Sequence, residues 1–180
     1  FPTVAAAKDY AASFKLPQRA LRQLLGMVHF AMAQQDIRYY LNGMLLVVEG
    51  AKIEAVATDG HRLAYCNTVI EGENFARQEV IIPRKTILEL QRLLEDIDDK
   101  VEIDVAPSQV KFTFANVELV SKLVEGKFPD FNRVIPKGYN KSFLISREEL
   151  HRSLQRAAIV TSDKFKGVRF QVSDNLLRIN

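Results

Sequence analysis

Apolar residues recur along this chain with two alternating periods. After Leu16-Pro17 they fall at Leu21, Leu24 and Val28, the spacing of one face of a helix. Ile82-Pro83 opens the same pattern, continued by Ile87, Leu90 and Leu94. Proline suits the first turn of a helix, where its missing N–H would have no partner. A third copy starts at Ser146, with Glu149 placed to complete a capping box, and runs through Leu150, Leu154 and Ala157. A short strand-like segment precedes each helix: Ser13–Leu16, Glu79–Ile82 and Ser142–Ile145.

Between the helices the period shortens to two. Val101, Ile103 and Val105 alternate with Glu102 and Asp104, and Val110, Phe112 and Phe114 alternate with Lys111 and Thr113. Such alternation predicts antiparallel strands with one buried face and one wet face. Met44–Val48, Ile53–Ala57, Leu63–Ile70 and Glu118–Leu123 read as further strands. The predicted unit is strand, helix, three strands. It occurs twice between Ser13 and Val124 and begins again at Ser142.

A longer repeat overlies this one. Phe1-Pro2 and Ser13-Phe14 recur as Phe128-Pro129 and Ser142-Phe143, and Gly43-Met44-Leu45-Leu46 answers to Gly167-Val168-Arg169-Phe170. The predicted fold class is α+β, with antiparallel sheets and the helices on one face. Residues 1–12 read as a tail and linker, and 13–125 as a complete domain of two half-repeats. Residues 126–141 form a connector, and 142–180 the first half of a similar domain. Modular arrays of this kind build rings or solenoids.

Composition adds boundaries. No apolar run approaches the roughly 20 residues that span a bilayer, and the first residues carry no basic region followed by an apolar stretch and a cleavage site. The single cysteine, Cys66, excludes an internal disulfide and suits a reducing compartment. Its apolar surroundings predict a small buried side chain. The chain opens on Phe1-Pro2 rather than Met, as a fragment of a longer protein would. The net charge of +3 is unevenly spread, because residues 71–105 hold 5 Lys/Arg against 10 Asp/Glu. The rest of the chain is therefore basic, which is compatible with a nucleic-acid surface.

Several motifs could carry chemistry. Thr58-Asp59-Gly60-His61-Arg62 offers an acid, an imidazole and a guanidinium, the raw material of a metal or acid–base site. Its spacing equally describes a hairpin, since Asp-Gly between apolar strands is a strong turn signal. No other His or Cys lies at ligand spacing. Phe128–Pro136, with two prolines flanked by Gly126 and Gly138, reads as a stiff connector. Arg38-Tyr39-Tyr40, beside Gln35, reads as a stacking platform for bases or as partly buried packing. Helical residues 17–29, 84–94 and 147–157 are each net basic through Arg19 and Arg22, through Arg84, Lys85 and Arg92, and through Arg147, Arg152 and Arg156. Each alone is a solvated helix face. Their recurrence suggests a surface that follows phosphates without reading bases. The acidic run Glu95–Asp99 has no calcium-loop spacing and reads as a solvated loop. There is no phosphate loop, nucleophile elbow or zinc pattern.

Ala57-Thr58-Asp59-Gly60-His61-Arg62-Leu63, Phe128-Pro129-Asp130-Phe131-Asn132-Arg133-Val134-Ile135-Pro136 and Arg38-Tyr39-Tyr40-Leu41-Asn42-Gly43 together resemble the bacterial sliding-clamp family, the beta subunits of DNA polymerase III. The likeness runs from the end of a first domain, through a second, into a third. It implies the DNA-clamp fold and a non-catalytic processivity factor without cofactor or metal. It also implies a homodimeric head-to-tail ring around double-stranded DNA in the bacterial cytoplasm, off the membrane. The resemblance places a pocket for short peptides, of the Gln-Leu-x-Leu-Phe type, at Leu41, Thr58, Gly60, His61, Arg62, Leu63, Pro129, Arg133 and Val134. Its partners there would be polymerases, the clamp loader and repair proteins. DNA contact is implied at Gln35, Tyr39, Tyr40, Arg84, Lys85 and Lys127, and the ring junction at Ile159 and Val160. Two readings from other classes stand beside it: a metal-dependent DNA-processing hydrolase using Asp59 and His61, and a peptide-binding adaptor without DNA affinity.

Overall fold

The computed structural model describes residues 7, 9–70, 72–161 and 167–180. The chain divides into two compact units, one ending at Ile135 and one running from Pro136 to Asn180. The division falls inside the segment expected to be a connector.

The first unit begins with β1 (Ala12–Pro17) and α1 (Gln18–Gly26), followed by β2 (Gly43–Gly50), β3 (Lys52–Thr58) and β4 (Leu63–Val69). The order then repeats as β5 (Phe75–Pro83), α2 (Arg84–Leu93), β6 (Lys100–Val105), β7 (Gln109–Phe114) and β8 (Val117–Lys122). Two antiparallel sheets result, ordered β1-β6-β7-β8 and β4-β3-β2-β5. The half-repeats exchange their first strands. β1 pairs with β6, Phe14 opposite Ile103, and β5 pairs with β2, Leu45 opposite Ile81.

The helices cover one face of this arrangement. Leu21, Leu24 and Leu25 of α1 and Ile87 and Leu90 of α2 are buried with Phe14, Met44, Leu46, Ile53, Ile103 and Phe112 in one core. Pro17 and Pro83 sit one position earlier than expected, at the N-caps, with ψ of 142° and 143°. Each strand thus runs directly into its helix. Neither proline supplies a side-chain cap. The orphan amides of α1 are met by the acidic loop instead, Gln18 N–H donating to Asp99 O at 2.9 Å and Arg19 N–H to Ile97 O at 3.0 Å. Arg19 Nε also pairs with Asp98 at 3.0 Å, so the run Glu95–Asp99 is an exposed loop that closes a helix end.

β2 departs from the one-face rule, since every residue from Gly43 to Val48 is buried. Met44, Leu46 and Val48 enter the helix-covered core. Leu45 and Val47 enter a second cluster with Ala33, Leu41, Val56, Ile81, Phe128 and Phe131. The connector aromatics therefore cover a sheet face that would otherwise be wet. Cys66, expected to be buried, is half-buried at the margin of the first core, because β4 is an edge strand.

The second unit contains α3 (Arg147–Ile159) and a hairpin of β9 (Phe170–Ser173) and β10 (Leu176–Ile179). Ser146 caps α3, its hydroxyl accepting from Glu149 N–H at 3.4 Å. Leu150, Leu154 and Ala157 are only half-buried. The strand expected at 142–145 does not form. In the first unit the equivalent strand pairs with the other half-repeat, and among the described residues 142–145 has no such partner. No helix among the described residues is long and apolar enough to cross a membrane.

Candidate functional site

The loop between β3 and β4 is closed by its own side chains. Thr58 and Leu63 are paired across the hairpin. Thr58 Oγ1 donates to Arg62 O at 2.7 Å and accepts from Gly60 N–H at 3.1 Å. Asp59 Oδ1 accepts from the amides of His61 and Arg62 at 2.9 and 3.0 Å. Gly60 has φ of +88°, a conformation that side chains with a Cβ adopt at a cost. Burial pushes the Asp59 carboxyl up, but those two amides and the Arg62 guanidinium outweigh it and hold the group below its usual range. Asp59 is thus occupied as a turn former, and the acid–base reading of the motif gains no support from its geometry.

A second loop packs against this turn. Ala33 N–H donates to Leu41 O at 3.0 Å, and Asn42 ties its base by accepting from Asp36 N–H and donating to Asp36 O, at 2.9 and 2.8 Å. Asp36 grips Arg38 through Nε at 3.0 Å and Nη2 at 2.8 Å. This paired contact, with the Arg38 amide and a smaller attraction from His61, lowers the Asp36 carboxyl from 3.8 to about 2. The same bond raises Arg38. The guanidinium lies over Gly60, where a Cβ would approach Nη1 to 3.0 Å, and donates to Asp59 O at 3.4 Å.

The connector supplies the third wall. Asp130 caps a short 3-10 turn, Phe131–Arg133, by accepting from Asn132 N–H. Phe128 and Phe131 are buried in the second core, while Val134 stays 59% exposed. The three segments enclose a cleft of about 140 Å³ lined by Arg38, Tyr40, Leu41, Thr58, Gly60, Leu63, Phe128, Pro129, Phe131 and Val134. Apolar walls with a few polar groups at the rim are the usual make-up of a small ligand site.

Of the nine residues that the sequence resemblance assigned to a pocket, this cleft brings together Leu41, Thr58, Gly60, Leu63, Pro129 and Val134. Three stand aside. His61 is exposed on the turn. Arg62 bonds to Asp59 at 3.1 Å and to Phe30 O at 2.8 Å, its guanidinium 5.8 Å from the Phe30 ring centre. Arg133 pairs with Asp130 at 3.0 Å and is largely exposed. Arg38, Phe128 and Phe131 also line the cleft, as does Tyr40, which the resemblance assigned to DNA contact. The only trace of them in the sequence is their position inside two of the three family-like motifs.

The residues grouped for DNA border one loop. Gln35 and Tyr39 are exposed on it and Tyr40 is half-buried, the two tyrosine rings 6.0 Å apart edge to face. Arg84 N–H donates to Asn42 O at 3.0 Å, and its guanidinium to Met32 O at 3.4 Å. A Cβ on Gly126 would lie 3.6 Å from both tyrosines. Lys85 and Lys127, each next in the chain and exposed, therefore flank the same loop. Ile159 and Val160, in the second unit, are 82% and 84% exposed. Among the described residues no three His, Cys, Asp or Glu side chains converge as a metal site would require.

Comparison with known proteins is consistent across sequence and structure. Residues 15–130 match the family model described as DNA polymerase III beta subunit, central domain, and residues 132–180 the one described as its C-terminal domain. The beta sliding clamp of Pseudomonas aeruginosa (strain PAO1) is 45% identical over 179 residues, covering 99% of this chain and 48% of the relative. That of Escherichia coli (strain K12) is 42% identical over 166 residues, covering 92% of this chain and 45% of the relative. The crystal structure of the DNA polymerase III subunit beta from P. aeruginosa superimposes with a TM-score of 0.94 at 45% identity, covering 99% of this chain and 49% of that one. The chain spans about half the length of the relatives it matches.

Proposed function

The chain belongs to the DNA polymerase III beta subunit family, and from that premise we propose that it is part of a sliding clamp, a non-catalytic factor that encircles duplex DNA and tethers replication and repair proteins. Residues 13–125 would be its complete central domain, 126–141 the connector, and 142–180 the first half of the C-terminal domain. The observation that carries the proposal is the cleft, where the turn, the 33–42 loop and the connector converge from three parts of the sequence on one apolar site. Its occupant would be a short peptide of the Gln-Leu-x-Leu-Phe type from a polymerase, the clamp loader or a repair protein. The whole protein would act as a homodimeric ring in the bacterial cytoplasm, joined through Ile159 and Val160. It would need no cofactor.

Burying two apolar anchors contributes only about 3–6 kcal/mol gross, and lost translational freedom removes much of that. Affinity for a Gln-Leu-Ser-Leu-Phe peptide is expected to be micromolar or weaker, measured by NMR titration. A folded Leu41→Asp, Leu63→Asp double variant should lose it, and unchanged binding would refute the site. DNA should bind through Arg84, Lys85, Lys127 and the loop tyrosines without sequence preference. Affinity should fall steeply between low and physiological salt. Arg84→Glu with Lys85→Glu should weaken every duplex alike, and a marked preference for one sequence would contradict the proposal.

A further inference from the structure

We propose that Tyr65 is a positioning residue for the cleft, holding its connector wall through Phe131; the proposal rests on the peptide-binding reading above. Phe131 is the only connector side chain between Pro129 and Val134 that is buried, its neighbours Asp130, Asn132 and Arg133 being exposed. It also lines the cleft. The position of that wall therefore depends on what Phe131 leans against.

One support is Tyr65. Its ring stacks on Phe131 with centroids 5.9 Å apart and planes inclined by 28°. Tyr65 lies two residues after Leu63 on β4, and so on the same face of the strand. Leu63 lines the cleft and Tyr65 does not. Tyr65 can thus act on a bound peptide only through what it touches.

The tyrosine is itself fixed to the sheet. Its hydroxyl donates to Glu54 Oε1 at 2.6 Å and accepts from Asn67 Nδ2 at 3.3 Å. Glu54 and Asn67 face each other across β3 and β4. Lys52 bonds to the same Glu54 oxygen and places its ammonium 5.7 Å from the Tyr65 ring centre. Burial pushes the Glu54 carboxyl up, but the bonds from Lys52 and Tyr65 bring it net below its usual range, so the acceptor stays ionised at neutral pH. A ring whose hydroxyl is held by Glu54 and Asn67, with Lys52 bracing Glu54, offers a face to the connector. That makes Tyr65 a rigid rest for Phe131. Phe128 anchors the connector separately in the second core, so the effect of Tyr65 is graded.

The test uses the 180-residue chain, the Gln-Leu-Ser-Leu-Phe peptide, and three variants. Tyr65→Leu keeps apolar bulk but removes the aromatic face, Tyr65→Phe keeps the face, and Phe131→Leu removes the partner. Tyr65→Leu should weaken peptide binding by about two- to tenfold, the worth of an aromatic pair. Tyr65→Phe should stay within about twofold of the unaltered chain. The Tyr65→Leu, Phe131→Leu double variant should bind no more weakly than the weaker single variant, as coupled neighbours do. In the chain without peptide, Tyr65→Leu should shift the Val134 methyl resonances and Tyr65→Phe should leave them in place, with amide signals of α1 and α2 unchanged in both. Tyr65→Leu binding as tightly as the unaltered chain, equal loss in Tyr65→Phe and Tyr65→Leu, or losses that simply multiply would each overturn the role. If the unaltered chain fails to bind the peptide, the peptide-binding reading falls, and the Val134 resonances still decide whether Tyr65 sets the connector.

Discussion

Asp36 shows how much one side chain organises around the cleft. Its carboxylate holds both the amide and the guanidinium of Arg38, and Arg38 in turn covers Gly60. The folded group titrates at about 2 against an ordinary 3.8. A depressed carboxyl contributes stability that is fully present above its unfolded pKa and is lost as pH falls through the folded one. Its contribution to stability should therefore be complete above about pH 4 and decline as pH falls towards 2, while the clasp itself is half released only at about 2. Carboxyl-carbon NMR of Asp36 checks this. A midpoint near 4 would mean that the Arg38 contact does not form in solution. Arg38 belongs to one of the family-like motifs and Asp36 lies just outside it, and nothing in the spacing said that the two would face each other. The same is true of Arg62, which the resemblance assigned to the pocket and whose guanidinium donates to Phe30 O.

Helices and strands follow from residue periodicity, but their depth of burial does not. α1 and α3 carry similar apolar spacing. Leu24 of α1 is 1% exposed, while Leu154 of α3 is half-buried on a two-stranded hairpin. Leu24→Ala leaves a cavity in a packed core and should cost about 2–5 kcal/mol. Leu154→Ala removes fewer contacts and should cost under about 1 kcal/mol, within the range of substitutions outside a core. Urea unfolding followed by circular dichroism compares them. Equal losses would show that α3 is packed more deeply than its hairpin allows.

For the whole chain the division into two units sets the expected unfolding behaviour. The first unit has two interior clusters. The second, from Pro136 onward, has no buried residue among those described. Amide exchange reflects the free energy of local opening. Amides of β2, β3 and α2 should exchange orders of magnitude more slowly than those of α3, β9 and β10, by mass spectrometry at neutral pH. Comparable protection in both units would overturn this.

The sequence by itself determined what depends on neighbours a few residues apart. The three helices, the alternating strands, the Asp-Gly hairpin at 59–60 and the Ser146 cap were all legible because each is a local preference of period or turn chemistry. The repeat of the unit was legible for the same reason. Only the tertiary structure decided which strands pair. β1 and β5 look alike in sequence, and each finds its partner in the opposite half-repeat, 80 or more residues away for β1 and about 35 for β5. It also decided that Phe128 and Phe131 would cover the outer face of β2, and that Arg38 would join the cleft while Arg62 and Arg133 left it. These outcomes turn on which apolar faces remain open once the strands have paired, and on which carboxylate or carbonyl then lies within reach of each arginine. Periodicity carries no record of either.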